Sequence, residues 1–170
     1  MKTKRIKKKG GSKSRSRSRE TSNNESLVFT LNVKRNSNGE ITSINVQDDT
    51  LRIILRVNSD NVDLYSFYNH TTRERKKKRH LARTVLLKML IYLLDNGIPE
   101  STVTHVNPVD STNNIGSLTR LQHEYIKMGF TNLVCRSLEH GCLEGTIRSN
   151  IDALNENITT RYDIHLIPQS

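Results

Sequence analysis

Apolar and polar residues alternate through the first part of this chain that has anything to bury. In SLVFTLNVKR (26–35), Leu27, Phe29, Leu31 and Val33 take every second position, the period of a half-buried strand. NSNG at 36–39 supplies a turn, and EITSINVQ (40–47) reads as the returning strand of a hairpin. LRIILRVN (51–58) is a third extended run. NVDLYSFYNH (61–70) is a fourth, and strict alternation puts Val62, Leu64, Ser66 and Tyr68 on one side, Tyr65 and Phe67 on the other. Four such runs with short turns predict a meander.

The period then changes. From Leu81, apolar residues recur at Val85, Met89 and Leu93 and again at Leu86, Leu90 and Leu94, which is helical spacing. Leu87 and Ile91 widen the apolar surface, so this helix is expected to touch more than one neighbour. Asn96-Gly97 and Pro99 supply the stop. STVTHVNPV (101–109) reads as a short strand, parallel to its predecessor if the helix is a crossover. A second helix follows an N-cap at Asp110, Ser111 or Thr112. Its apolar face is Ile115, Leu118, Leu121, Tyr125 and Met128, and it is stopped by Gly129. TNLVCRS (131–137) and RYDIHLIP (161–168) are expected to be the closing strands. Residues 139–160 read as a polar loop with some helix around 150–155. The pattern implies an α/β chain with an α+β mixed sheet: an antiparallel meander, one parallel βαβ crossover, then closing strands.

Charge divides the chain of 170 residues in two. Its net charge is +10, yet residues 1–20 hold ten Lys/Arg against Glu20 alone, a local +9. Residues 1–25 have almost nothing to bury, and we expect a disordered basic tail ahead of one domain over 26–170. KTKRIKKK suits nuclear targeting or a polyanion such as nucleic acid, SRSRSR suits phosphorylation, and a solvated tail with no specific partner accounts for both equally well. A second basic run, RERKKKRHLAR (73–83), carries +6. No apolar stretch is long enough to span a bilayer and the start is no secretory signal, so an intracellular, soluble chain without membrane contact is expected. Cys135 and Cys142 lack metal-ligand spacing and read as free thiols, and no metal site is expected.

The order of these pieces resembles the GNAT superfamily of acetyl-CoA-dependent N-acetyltransferases. Tyr125-Ile-Lys-Met-Gly129-Phe130 matches the family's Tyr-x-x-x-Gly-Phe, and Lys77-Lys-Arg-His80-Leu-Ala82 is the best register for its Gln/Arg-x-x-Gly-x-Gly/Ala phosphate loop, with His80 in place of the first glycine. The resemblance implies a GNAT-like fold and transfer of an acetyl group from acetyl-CoA to an amine on a protein or small molecule. It makes Tyr125 the general acid for the departing thiolate. It assigns the cofactor to Tyr68, Lys77, Lys78, Arg79, His80, Leu81, Ala82 and Arg83, opening the helix at Leu81, and to Asn114. Taken alone, Tyr125 reads more readily as an amphipathic core residue; the matching Gly-Phe and the upstream basic run tip it to the catalytic role. No general base stands out; Asp63 and His70 are the candidates. The competing reading is an inactive GNAT-like module that binds nucleic acid or protein, its basic loop gripping phosphates.

Overall fold

The computed structural model describes residues 26–69, 75–108, 115–133, 143–159 and 162–170. They build eight strands and three helices in one mixed sheet. The elements in chain order are β1 (Ser26–Arg35), β2 (Ile41–Gln47), β3 (Leu51–Val57), β4 (Asn61–Asn69), α1 (Arg75–Asp95), β5 (Val103–Val106), α2 (Ile115–Ile126), β6 (Asn132–Leu133), β7 (Leu143–Thr146), α3 (Ile147–Asn157) and β8 (Asp163–Gln169). The spatial order is β6-β7-β5-β4-β3-β2-β1-β8. The meander and the parallel β4–α1–β5 crossover are those expected from the periodicity.

Pairing register explains why the alternation holds. One row of directly opposed side chains, Val33, Ile44, Leu55, Leu64, Val106 and Leu143, crosses six strands, and every member is buried. Cross-strand neighbours of this kind are the unit of sheet stabilisation. The next row, Lys34, Ser43, Arg56, Asp63, His105 and Glu144, lies on the opposite face and is polar throughout. Helix α1 packs on the apolar face against β3, β4 and β8 and against α3, which buries Val85, Leu86, Met89, Leu90 and Leu93.

The second half differs from the periodicity in two ways. The strand that pairs with β5 is Leu143–Thr146, inside the stretch read as loop, and it leads directly into α3. Four residues containing Gly145 are too short to show alternation. The α3 start is a reciprocal cap between Thr146 and Ser149, where serine stands in for the usual Glu or Gln. RYDIHLIP, read as a closing strand beside TNLVCRS, goes instead to the far edge and pairs in parallel with β1, Leu27 against Ile164 and Phe29 against Leu166.

Two helices end in the same device. After α2, the Gly129 amide donates to the Ile126 carbonyl and the Phe130 amide to the Tyr125 carbonyl. After α1, Gly97 donates to Leu94 and Ile98 to Leu93. Both are Schellman caps with glycine in the left-handed region, at φ +90° and +88°. Their surroundings differ. A Cβ on Gly97 meets nothing within 4 Å, whereas one on Gly129 falls 2.5 Å from the Ser149 carbonyl oxygen. Behind it, buried Asn150 donates to the Met128 carbonyl at 2.7 Å and accepts from Thr104 Oγ1 at 2.5 Å, tying α2, β5 and α3 together. Gly97→Ala should therefore cost about 1–2 kcal/mol, the left-handed strain alone. Gly129→Ala should cost about 2–5 kcal/mol, because the α3 backbone must also move. Urea denaturation of the two variants checks the contrast.

Candidate active site at the parting of two parallel strands

Strands β4 and β5 pair only from Asn61–Val103 to Leu64–Val106. There β5 ends, while β4 runs on to Asn69, still paired on its other side with β3. Among the described residues no strand pairs with β4 on that side beyond Leu64, which leaves a notch at the carboxyl end of a parallel pair. That is where open α/β sheets place ligands. The parting coincides with a β-bulge: Leu64 opposes Leu55 and Ser66 opposes Ile54, leaving Tyr65 without a partner on β3.

The bulge changes the faces assigned by strict alternation. Phe67 opposes Ile53 and so joins Val62 and Leu64 on the apolar face. Tyr68 opposes exposed Arg52 and so leaves that face, contrary to the sequence reading. Tyr65 stays on the outer face, its ring 3.4 Å from the Arg56 guanidinium carbon.

Phe67 forms one wall for Tyr125. Their rings meet edge-on at 6.4 Å, and Phe130 meets Tyr125 edge-on at 6.1 Å from the other side. This gives the Tyr-x-x-x-Gly-Phe run a structural account, since Tyr125 and Phe130 are the two positions whose apolar contact accompanies a Schellman cap. The cap needs an apolar side chain at 125, as α1 uses Leu93 in the same place, and has no use for a hydroxyl. Burial pushes the phenol up to about 12, so it is protonated at any ordinary pH.

The remaining expected site residues scatter. Helix α1 starts at Arg75, not at Leu81, so no loop spans Arg75–Ala82. Leu81 and Ala82 belong to the core, and Arg83 is buried in a 2.6 Å ion pair with Glu124 that fastens α1 to α2. Glu124 also lies 3.5 Å from Lys127. His80 Nε2 is 3.3 Å from Thr159 Oγ1, beyond the end of α3. Tyr68 is exposed on the outer face. Lys77, Lys78 and Arg79 belong to the first turns of α1 by their backbone, and their side chains lie outside the described residues, as do Asn114, His70, Cys135, Cys142 and the basic tail.

Periodicity gave no sign of the group at His105. Its Nδ1 is 3.5 Å from Asp63 and its Nε2 3.6 Å from Glu144, ion-pair spacing rather than hydrogen bonding. Asn58 Nδ2 donates to Asp63 at 2.9 Å. Only the β4–β5–β7 register assembles these three, since they are remote in sequence. Among the described residues no His/Cys/Asp/Glu group has the arrangement to hold a metal ion, and no helix is long and apolar enough to cross a membrane. A cavity of about 740 Å³ lies at the opposite end of the sheet, lined by turn residues such as Asn36, Glu40, Asn58 and Asn96. Its lining includes the hydroxyls of Thr42 and Ser59 but no aromatic ring and no histidine, and the notch beside Tyr125 is the better candidate on chemistry.

Comparison with protein-family models, curated proteins and solved structures gives no significant match.

Replacing Tyr125 by Phe should leave the fold intact, because both edge contacts and the cap survive. The sign of its pH effect is fixed by the raised pKa: wild type keeps the burial contribution below pH 10 and loses it as pH rises towards about 12. Wild type should lose about 2–3 kcal/mol over that interval relative to Tyr125→Phe. Urea melts of both proteins at neutral pH and at high pH measure it.

Proposed function

We propose that the chain is an N-acetyltransferase of the GNAT kind, moving an acetyl group from acetyl-CoA to an amine. The observation that carries this reading is the notch, where a parallel pair parts at a bulge beside a buried, protonated tyrosine. Coenzyme A carries an extended arm with two amides, and the place where the β4–β5 ladder stops after Leu64 suits such a chain, as strand addition does elsewhere. The order of meander, crossover helix, parallel strand and Tyr125 helix agrees with the resemblance.

The phosphate end of the reading moves with the helix start. The first turn of α1 contains no acid, and Arg75 to Arg79 are all cations at the positive end of the helix dipole. That is an unfavourable arrangement that an anion relieves. The first-turn amides of α1 would be the donors for a pyrophosphate, in place of those at Lys77–Ala82.

In the transfer step the amine nitrogen attacks the thioester carbonyl carbon, a C–N bond forms, and the C–S bond breaks. The sulfur leaves as thiolate and takes the Tyr125 proton, while the amine gives its proton to water. A free thiol near 8.5 is a weaker base than a phenolate at about 12, so direct proton transfer runs uphill in isolation. Burial that raises the phenol also raises a thiol formed beside it, which narrows the gap.

Titration calorimetry of acetyl-CoA into the full chain at about 0.15 M salt should show saturable binding, unchanged in Tyr125→Phe. Thiol release should then fall about 10²–10⁴-fold in that variant, with a lysine peptide, a free-amino peptide or a polyamine as acceptor. Absence of saturable acetyl-CoA binding removes the enzyme reading.

A further inference from the structure

The outer face of the sheet is polar, and along β1 its positions are exposed at Val28, Thr30, Asn32 and Lys34. Across β3 the exposed positions are Arg52 and Arg56. The bulge brings Tyr68 to join Tyr65 on this same face, each 57% exposed. Without the extra residue, alternation would send Tyr68 to the core side. Three residues of extended strand separate the two rings by ~10 Å, room for one or two nucleotides of an extended single strand.

Topology adds the charge. Strands β1 and β3 run the same way and β4 runs against them, with Leu51 opposite Asn69. Ser26, where the +9 of residues 1–20 feeds into the fold, therefore lies at the end of the sheet where β4 finishes and α1 begins with Arg75–Arg79. The basic run that opens α1 therefore starts at the end of the sheet where Tyr68 lies, and the described chain begins at that same end with Ser26. Asp63 stands on β4 directly opposite Arg56 and, with Glu144, flanks His105, while Lys34, Arg52 and Arg56 supply the cations of the face.

From these observations we infer that the outer face over β3 and β4 is a stacking platform for single-stranded nucleic acid, with Tyr65 and Tyr68 as the base-stacking residues and Arg52 and Arg56 meeting phosphate. Exposed aromatics on a sheet beside arginines are what unpaired bases use, whereas a duplex hides its base faces and an acidic protein has no need of the rings. Two stacking points read no base edges, so binding is indifferent to sequence. Arg56, already stacked on Tyr65, holds that ring outward. The inference stands whether or not the chain transfers acetyl groups.

The test uses the full chain, basic tail included, and a labelled oligouridine of about twelve nucleotides with a duplex of equal length, read by fluorescence anisotropy at about 0.15 M salt. Tyr65→Ala/Tyr68→Ala should weaken single-strand binding about tenfold or more. Tyr65→Phe/Tyr68→Phe should restore it, and duplex binding should change less than about twofold because charge alone carries it. Single-strand affinity unchanged in the alanine variant, or lost equally for both nucleic acids, overturns the platform. Should the alanine variant not fold, wild type provides the same decision. The chain has no Trp, so its emission comes from tyrosine. Saturable quenching by the single strand and none by the duplex supports stacking, and no quenching by the single strand refutes it.

Discussion

A β-bulge costs a strand one ladder position, and in β4 that position is Tyr65. The ladder to β3 resumes one residue out of phase, which sends Phe67 inward against Tyr125 and Tyr68 outward beside Arg52. On the other edge the ladder to β5 stops at the residue before the bulge. One inserted residue therefore opens the notch, supplies the wall of the buried phenol and populates the outer face with rings. Bulges concentrate next to active sites because they re-aim side chains and end pairing at little cost to the rest of the sheet. The six-strand apolar row that ends in Leu143 passes just before it and is undisturbed.

The Tyr125–Phe130 run shows how one motif serves two ends. Phe130 returns its amide to the Tyr125 carbonyl and its ring to the Tyr125 ring, and Gly129 is held by the left-handed backbone and by the α3 backbone against it. All of that is helix termination. The hydroxyl is the part termination leaves unexplained, and it sits in surroundings that keep its proton on. On the proposed transfer reading, the chemistry at this position would rest on a single oxygen added to a structural ring.

Much of the architecture was legible in the sequence, because alternation in β1 to β3 and the 3.6-residue period of α1 are driven by one shared core. The faces at the end of β4 were not legible: a bulge leaves no mark in composition, and LYSFYNH reads equally well in either phase. The α1 start was misplaced because apolar periodicity begins at Leu81, whereas the preceding cations are helical without burying anything that a pattern could report. β7 escaped because four residues with a central glycine carry no period, and the Asp63–His105–Glu144 row because only strand register brings it together. That β1 and the basic start of α1 lie at one end of the sheet is likewise a property of strand direction, which a linear count of charges does not contain.

The parallel pairing of β1 with β8 has a consequence for how the chain is made. Leu27 and Ile164 meet across 137 residues, whereas β1 to β4 form from neighbouring hairpins. At ribosomal speeds of about 5–20 residues per second, the outer edge of β1 waits roughly 7–27 s for its partner. Through that interval a strand rich in Val, Phe and Leu presents unpaired backbone to other nascent copies, a template for association. The segment that leaves the ribosome immediately before it carries a charge of +9, so two waiting edges repel each other before they can pair. Like charge on each nascent chain works against pairing of the edge that is made first and completed last.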